Sequence, residues 1–468
     1  MMTSEVLPSG LLEAIEEIVE EQGFDSKYIL ETSPLAGVGE NSYGLVLEAK
    51  ISCPKKSRDP FYCVLKIAPS NEARRIHMRV ADYYKREFFM YNQVLRAFQD
   101  IQEEERIPTD KAFNAMPKVY YASLKNLEEF FIFEDLVEGG FGRNSRSNLP
   151  TFDLAITALK ALAKYHAMSF VVQAKRPKLF EKLIGELRFN DNLYTPNMDQ
   201  VTIEFAKKYV RRTKSMIADD KHRSNRTELL KVVQIFEDTF KEIALKAVDG
   251  GECAPYSVIC HGDFWNNNIL YRYDERNNPI EAKLIDFQMS RYASPVLDIV
   301  HYLFACTEKA LRDEHFDEFM DTYHRTLSDH LRLFNLDPEI IFPRSVFDSQ
   351  LKTYGPYGFC MAIFSVPFFI CDSSDLPDLD EVSEAIHELS SEGSDSEDKN
   401  QEPNNNVVSE MEKKSRVLVE EFEILNEKTL PIFKRRLTGI VLDLVKYDMV
   451  DELFEFCKNI RANKITTN

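Results

Sequence analysis

The chain has 468 residues, of which 44% are apolar and 29% are charged, and this composition is typical of a globular protein rather than a disordered one. Its formal net charge of −19 argues against binding to the phosphate backbone of nucleic acids, which requires basic surface. Its eight cysteines form no C-x-x-C pair, so neither a zinc site nor a disulfide scaffold is indicated. Reduced thiols explain them most simply, and we expect a cytoplasmic protein with no nucleic-acid partner.

The first segment of the chain predicts a helix rather than a signal peptide. Leu11, Ile15 and Ile18 fall on one face of an acidic amphipathic pattern, and no basic stretch precedes an apolar one. The longest apolar run, GFCMAIFSVPFFIC at 358–371, has about 14 residues and contains Pro367, whereas a bilayer span needs about 20. We expect a buried helix or a pocket wall there, and no membrane span.

Residues 1–137 are predicted to form a small α+β lobe. The segment SPLAGVGENSYGLVLEAKI indicates a hairpin with a glycine-rich turn, and FYCVLKIAP indicates a strand that carries Lys66 near its end. A helix follows, with apolar positions at Val80 and Tyr84 and with Glu87 inside it. Two further strands are predicted in MPKVYYASLK and EEFFIFEDLV.

From about residue 150 the pattern becomes helical, beginning with LPTFDLAITALKALAKYHAMSF. Residues 372–398 hold 11 Asp or Glu residues and no Lys or Arg, so we expect a disordered surface insertion at 372–406. The predicted fold class is therefore α+β, with a small sheet-containing lobe followed by a larger, mostly helical lobe at 138–468. Ligand sites tend to lie at the junction of two such lobes.

The stretch HGDFWNNNIL places a His, an Asp and an Asn in one short turn between strand-like runs. Asp286 ends another apolar strand 18 residues after Asn268. Carboxylate and amide oxygens suit Mg²⁺, with Asp286 as the main ligand and Asn268 as the second. Asp263 would accept the proton of a reacting hydroxyl, while His261 would bond the backbone near the turn. Alternatively, Asp286 only caps the turn after its strand.

Phosphoryl transfer also needs a cradle for phosphates and a cation that contacts them. Gly37 and Gly39 in GVGENSYG permit close backbone approach, although the same pair would be unremarkable in a plain hairpin turn. Lys66 would contact the phosphates if Glu87 steadied it, whereas either residue alone is an ordinary surface charge. The occurrence of all these parts in a workable order favours a kinase.

The motifs carry a resemblance to known kinases. HGDFWNNNIL and LIDFQ resemble signatures of the aminoglycoside phosphotransferase and choline kinase group, which has a protein-kinase-like fold. Together with GENSYG, YKREFFMY, FIFEDL and LAKYHAMSF, they more closely resemble the ecdysteroid-kinase-like (CHK kinase-like) family of arthropods, over about residues 25 to 370. The resemblance implies a small-molecule kinase that uses ATP and Mg²⁺.

The resemblance also implies roles for particular residues. Asp263 would be the catalytic base, Asn268 and Asp286 the magnesium ligands, and His261 and Asp298 structural supports. Asp298 near the start of a helix is also simply favourable against the helix dipole. The positions implied to bind ATP are Gly37, Gly39, Asn41, Lys66, Glu87, Glu134 and Leu136, the last two through backbone groups that face adenine with Phe133 behind them.

Two features depart from the protein-kinase pattern, namely the loop spacing G-x-G-x-x-x-x-G and Gln288 in place of a glycine. Both fit the small-molecule group. The leading hypothesis is an O-kinase for a lipophilic acceptor such as an ecdysteroid or related steroid, with the apolar run 358–370 and the helix VHYLFACTE as wall. The alternatives are an acceptor of choline or aminoglycoside type, and a non-catalytic binding protein for an apolar ligand.

Overall fold

The structure is a computed structural model, and it describes residues 7–24, 28–35, 43–53, 59–144, 148–189, 200–392 and 405–466. The predicted phosphate-binding residues Gly37, Gly39 and Asn41 lie outside the described residues.

A five-stranded antiparallel sheet forms the N-terminal part, in the order β1-β2-β3-β5-β4. Its strands are β1 (Ile29–Pro34), β2 (Leu45–Ser52), β3 (Phe61–Ile67), β4 (Val119–Ser123) and β5 (Phe130–Glu134). β2 buries every second residue, including Leu47, Ala49 and Ile51, as expected for a strand covered on one face. Those residues share a core with helix α1 (Ser9–Glu21), whose apolar stripe faces the sheet.

A second group of helices follows β3 in the chain. It comprises α2 (Glu72–His77), α3 (Val80–Phe89) and α4 (Leu95–Glu104), with a π-helical turn at Met90–Val94. Helix α3 packs on the other face of the sheet, whereas α4 belongs to the main core of the helical part. Val80 and Tyr84 of α3 pack with Phe131 of β5 in one buried cluster. Because Lys66 pairs with Phe131 across the sheet, this packing brings α3 over the end of β3.

The C-terminal part is mostly helical. Its helices are α5 (Phe152–Lys175), α6 (Pro177–Phe189), α7 (Gln200–Asp219), α8 (Arg226–Val248), α9 (Val296–Cys306), α10 (Lys309–Leu333), α11 (Pro338–Ile341), α12 (Arg344–Tyr354), α13 (Tyr357–Ile370), α14 (Leu379–Glu392), α15 (Asn405–Glu421), α16 (Thr429–Lys446) and α17 (Asp451–Thr466). The core forms around α5, α9, α10 and α13, and every residue of α9 is buried.

Short strands flank the two loops that carry the predicted catalytic and metal-binding residues. They are β6 (Phe141–Arg143), β7 (Val258–Cys260), β8 (Ile269–Tyr273), β9 (Pro279–Leu284) and β10 (Arg291–Ala293). β6, β8 and β9 form one antiparallel sheet, and β7 pairs with β10. The loop 261–268 therefore leaves β7 and enters β8, while the loop 285–290 leaves β9 and enters β10. The predicted α+β architecture, with a smaller sheet lobe and a larger helical lobe, is confirmed.

The acidic tract differs from the expected disordered insertion, because part of it is the helix α14. Arg74 of α2 lies 3.2 Å from Asp380, and the Asn71 amide donates to Glu384 at 2.8 Å. Ile386 is buried. Composition misleads here because the tract also carries an apolar stripe, and α2 supplies polar partners for its acids. Residues 393–404 lie outside the described part of the chain.

Among the described residues, no single helix combines the length and apolar composition needed to cross a membrane. One bent pair, Pro338–Tyr354 with Tyr357–Ile370 at 57° to each other, meets the criterion by length and composition.

Candidate active site

A cavity of about 470 Å³ opens between the N-terminal sheet and the helical part. β2, β3 and β5 line one side, and the loops that follow β7 and β9 line the other. A larger open groove of about 870 Å³ lies between α7, α8 and α17, and it contains none of the predicted site residues. The predicted chemistry therefore belongs to the smaller cavity.

The loop after β7 is held in a tight, buried turn. Gly262 has φ +85°, and a Cβ placed there would lie 1.9 Å from the carbonyl oxygen of Met289. Only glycine fits this approach. The N–H groups of His261 and Gly262 donate to the two carboxylate oxygens of Asp298, at 2.7 and 2.9 Å. Asp298, near the start of α9, thus fixes the backbone that precedes Asp263.

Asp298 is itself held by residues to which the sequence pattern assigned no role. His166 of α5 lies with Nε2 3.0 Å from Asp298, and its Nδ1 lies 2.7 Å from the hydroxyl of Tyr323 on α10. Burial opposes the charge of Asp298, but bonding to His166 and the backbone N–H groups keeps its pKa below the usual value. His166, Cys260 and Asp298 lie close enough to share a cation, yet each already has protein partners.

His261 faces the loop after β9. Its Nε2 lies 3.0 Å from the carbonyl oxygen of Ile285, and its Nδ1 accepts the N–H of Asp263 at 3.3 Å. Burial lowers the pKa of His261. The imidazole also packs 4.7 Å from the ring of Phe287. His261 thus connects the two loops, and it does not line the cavity.

Asp263 lines the cavity with one carboxylate oxygen available. Its Oδ2 accepts hydrogen bonds from the Trp265 indole at 3.1 Å and from the Asn268 amide at 2.9 Å. No bond to Oδ1 is formed from the described residues. Burial, reinforced by the nearby Asp286, raises the pKa of Asp263 to about 7. A base whose pKa lies near the operating pH is suited to accept a proton from a hydroxyl group.

Lys66 is the centre of a buried polar cluster on the opposite wall. Its Nζ donates to Glu87 and to Asp286, each at 2.6 Å, and to Gln288 at 3.1 Å. Burial opposes the ammonium charge, but the carboxylates of Asp286 and Glu87 outweigh it and raise the pKa of Lys66. The second oxygen of Glu87 is buried and has no partner among the described residues. Lys66 is therefore a fixed cation at the cavity.

Asp286 and Asn268 present oxygen atoms that suit a magnesium ion. Asp286 has a left-handed backbone (φ +69°), which is uncommon for a residue other than glycine and is often found at functional sites. The Asn268 amide nitrogen donates to the backbone and the carboxylate of Asp263, both at 2.9 Å, so its oxygen is left for a cation. Both side chains line the cavity, and this donor set fits Mg²⁺.

The chain that follows β5 forms the remaining wall. The N–H of Glu134 donates to Lys118 at 2.9 Å, and the carbonyl of Leu136 accepts from Phe141 at 3.0 Å. Neither bond uses the Glu134 carbonyl or the Leu136 N–H. Both residues line the cavity, and Phe133 lies beside them.

The predicted apolar wall from 358–370 is mostly core instead. Most of α13 is buried, as is all of α9, and only Cys371 and Asp372 beyond α13 line the cavity. Phe369 contributes indirectly, because its ring stacks on Trp265 at 4.4 Å and within 3° of parallel. These two apolar runs therefore stabilise the core and do not line the cavity. Hydrophobic periodicity alone could not distinguish these two roles.

The structure brings most of the predicted site residues to one place. Lining the cavity are Lys66, Glu87, Glu134, Leu136, Asp263, Asn268 and Asp286. His261 and Asp298 lie directly behind the loops. Sequence reasoning gave no role to Trp265, Gln288 or His166, although all three stand in motifs that it singled out. The signal for Trp265 was its place two residues after Asp263.

Comparison with known proteins places this site in a family. Residues 38–336, which are more than half of the chain, match the ecdysteroid kinase-like family. No curated protein matches the chain.

Two solved structures of kinases are similar to the chain at low identity. A microcompartment-associated aminopropanol kinase has 9% identity and a TM-score of 0.33, with 91% of this chain and 99% of that chain covered. A protein from Haemophilus somnus 129PT, assigned as a fructosamine-3-kinase, has 10% identity and a TM-score of 0.30, with 88% and 97% covered.

The family match confirms both the predicted family and the predicted enzyme class. The chain belongs to the ecdysteroid kinase-like family, and it is a phosphotransferase that acts on a hydroxyl group of a small molecule.

Proposed function

We propose that the protein transfers the γ-phosphoryl group of ATP, in the presence of Mg²⁺, to a hydroxyl group of a lipophilic acceptor such as an ecdysteroid or related steroid. The observation that carries the proposal is the arrangement of Asp263, Lys66 and Asp286 around one cavity. A base with a pKa near neutral faces the same space as a fixed cation and a carboxylate suited to a metal.

Each residue has a distinct role in this proposal. Asp263 accepts the proton of the acceptor hydroxyl. The hydroxyl oxygen forms a bond to the γ-phosphorus of ATP, and the bond between that phosphorus and the oxygen that leaves with ADP breaks. Lys66, steadied by Glu87, contacts the phosphates. Asp286 and Asn268 hold Mg²⁺, and bound MgATP supplies the phosphoryl group together with the metal's charge. Asp286 also accepts a hydrogen bond from Lys66, which joins the carboxylate proposed to hold the metal to the cation proposed to contact the phosphates.

The remaining predicted positions would hold the nucleotide. The backbone of Glu134 and Leu136 would receive the adenine, with Phe133 packed beside it. Gly37, Gly39 and Asn41 would cover the phosphates. Gly44, which follows them in the chain, packs closely against the backbone carbonyl of Ile67. The chain after Gly44 enters β2, where Val46 pairs with Lys66.

An aromatic surface beside the base supports a lipophilic acceptor. Trp265 lines the cavity two residues from Asp263, and Phe369 supports its ring from behind. A flat apolar ring next to the reacting group suits a cyclic alcohol. Of the carboxylates that line the cavity, Glu87, Asp263 and Asp286 belong to the transfer machinery, so they do not mark a cationic acceptor.

One observation favours a second acceptor class. Asp372 lines the same cavity as Trp265, and an aromatic ring and a carboxylate together could bind a quaternary ammonium or amine. A choline-type or aminoglycoside-type acceptor is therefore the second candidate. Asp372 is exposed, so water would weaken its attraction for such a cation.

A mass-spectrometric screen tests the proposal. The purified protein would be incubated with MgATP and a panel of ecdysteroids, other sterols, choline and aminoglycosides, with Asp263→Asn as control. We expect an added phosphate on members of the steroid class only, and none in the control. Phosphate added only to the amines would move the acceptor to the second class. A product of equal yield from the Asp263→Asn variant would exclude Asp263 as the base.

The metal assignment is tested by Asp286→Asn. Because the substitution removes the carboxylate charge that would hold Mg²⁺, we expect turnover to fall by at least about 100-fold. The variant should remain folded, with an unchanged circular dichroism spectrum, because Asp286 has 25% of its side chain exposed. Turnover equal to that of the wild type would contradict the assignment.

A further inference from the structure

Trp265 is the single tryptophan of the chain, and it contacts the base directly. Its indole Nε1–H donates to Oδ2 of Asp263 at 3.1 Å, and the Asn268 amide donates to the same oxygen at 2.9 Å. One carboxylate oxygen thus has two donors from different parts of the loop. The other oxygen makes no hydrogen bond with the described residues, and Asp263 lines the cavity.

The indole is held in place from outside the loop. Its ring stacks on Phe369 with centroids 4.4 Å apart and planes within 3°. Phe369 is 6% exposed and belongs to α13, which packs in the main core against α9. The orientation of the N–H is therefore set by the core of the helical part rather than by the loop alone.

We propose that Trp265 is a positioning residue that fixes which oxygen of Asp263 accepts the proton of the acceptor hydroxyl. This inference rests on the proposed function. The side-chain torsion that rotates an aspartate carboxylate has broad minima, and one hydrogen bond leaves much of that freedom. Two donors on the same oxygen define the plane of the carboxylate. Oδ1 is then the oxygen directed at the acceptor, and it does not have to be selected at each turnover.

The alternative is that Trp265 only packs between the loop and α13 and does not orient the carboxylate of Asp263. Space filling would be served by any ring of similar size, whereas positioning requires the N–H. The two roles therefore separate when the donor is removed and the ring is kept.

Two substitutions remove the donor. Trp265→Phe keeps an aromatic ring for the stack on Phe369, and 3-benzothienylalanine placed at position 265 by stop-codon suppression keeps the shape of the indole with sulfur in place of N–H. We expect both to lower kcat by about 10- to 100-fold, as for other residues that orient a reacting group. In the benzothienylalanine protein, which keeps the ring surface, the KM values for ATP and acceptor should stay within about twofold, because the N–H acts on the base and not on ground-state binding.

Binding without turnover provides a second readout. The Kd of the variants for MgATP, measured by calorimetry in the absence of acceptor, should equal that of the wild type. In the ligand-free protein, the emission of the single tryptophan should shift in Asp263→Asn, because the indole then donates to a neutral amide oxygen. An unchanged emission spectrum would show that the hydrogen bond is absent and would overturn the inference.

Phe369→Leu is the matched control, since it keeps the donor and removes the stacked ring. We expect it to lower kcat less than Trp265→Phe does. Full kcat in the benzothienylalanine protein would show that the ring rather than the N–H matters, and it would overturn the inference. These outcomes need an active wild type, whereas failure of the proposed function appears as a wild type that phosphorylates no acceptor.

Discussion

Gly262 and Asp286 have left-handed backbones, with φ of +85° and +69°, and each lies in one of the two loops that border the candidate active site. Gly262 needs its conformation because the chain passes against Met289, while Asp286 adopts it with a side chain present. A non-glycine residue pays about 1–2 kcal/mol for this conformation. The carboxylate of Asp286 thereby reaches Lys66 at 2.6 Å, so the strain coincides with the contact that the site requires.

Gly262→Ala should therefore destabilise the protein strongly. The new methyl group would lie 1.9 Å from a backbone oxygen, which cannot move aside as a flexible side chain could. Together with the left-handed φ, we expect a loss of about 3 kcal/mol or more in the free energy of unfolding. Chemical denaturation measures it.

The control for this substitution is Gly185→Ala. Gly185 lies inside α6, and a Cβ there meets no atom within 4 Å. Because alanine is the better helix former, we expect a gain of up to about 1 kcal/mol. If Gly262→Ala were as stable as the wild type, the close approach to Met289 would be wrong.

At the scale of elements, α3 and α9 each direct one polar side chain to the candidate active site, while their apolar side chains pack in the core. α3 packs Val80 and Tyr84 against the sheet and thereby directs Glu87 to Lys66. α9 is buried throughout and offers Asp298 to the loop after β7. The apolar residues fix the helix, and the helix fixes the polar group. This division explains why Glu87 looks unremarkable in the sequence and is almost fully buried in the structure.

The attachment of α14 to α2 gives a prediction at this scale. The ion pair between Arg74 and Asp380 is partly exposed, and such pairs contribute about 0–1 kcal/mol. Burial of Ile386 must therefore provide much of the attachment. Since an unpaired buried charge costs several kcal/mol, we expect Ile386→Asp to release α14. Amide hydrogen exchange in 379–392 should become at least about tenfold faster, with little change elsewhere.

His387→Asp is the control for this change, because it adds an acid of the same kind one residue further on, at an exposed position. Its exchange rates should match those of the wild type. Equal acceleration in both variants would mean that added charge, and not lost packing, releases the helix.

At the scale of the whole molecule, the sequence predicted the two lobes and the polar residues of the candidate site. It did not predict the contacts that join the residues of one lobe to those of the other. The strands of the small lobe and the order of Lys66, Glu87, Asp263 and Asp286 follow from alternation and motif spacing. The contacts of Lys66 with Asp286 and Gln288 join residues more than 200 positions apart, and no local pattern encodes such a distance. The sequence therefore predicted residues that the structure brings to one cavity, while their geometry required the fold.

The acidic tract and the apolar run mark where local composition fails. Both predictions were based on residue types alone. In both cases the structure of the segment depends on the residues that it contacts in the fold. The acids of α14 meet α2, and the aromatic residues of α13 meet the core. Trp265 is the opposite case, because the sequence assigned it no role. The structure shows that it contacts Asp263 on one side and Phe369 on the other.

The stability of the whole molecule should respond to pH in two opposing ways. Burial lowers the pKa of His330 to about 3, with Lys164 acting in the same direction, so the folded state keeps the imidazole neutral. The unfolded chain binds the proton near pH 6.5, and stability is therefore lost as the pH falls from about 6.5 towards 3. Burial raises the pKa of Asp263 to about 7, and this group acts with the opposite sign in the same range.

Because the two effects partly cancel in the wild type, the informative quantity is the difference between the wild type and His330→Leu. Relative to that variant, the wild type should lose about 2 kcal/mol of unfolding free energy between pH 7.5 and pH 5, since the titration window spans about 1.5 pH units there. Denaturation at both pH values measures it. Leu331→Ala is the control, because this buried neighbour does not titrate and should lower stability equally at both. A difference between wild type and His330→Leu that does not change with pH would show that His330 is protonated, and hence solvated, in the folded protein.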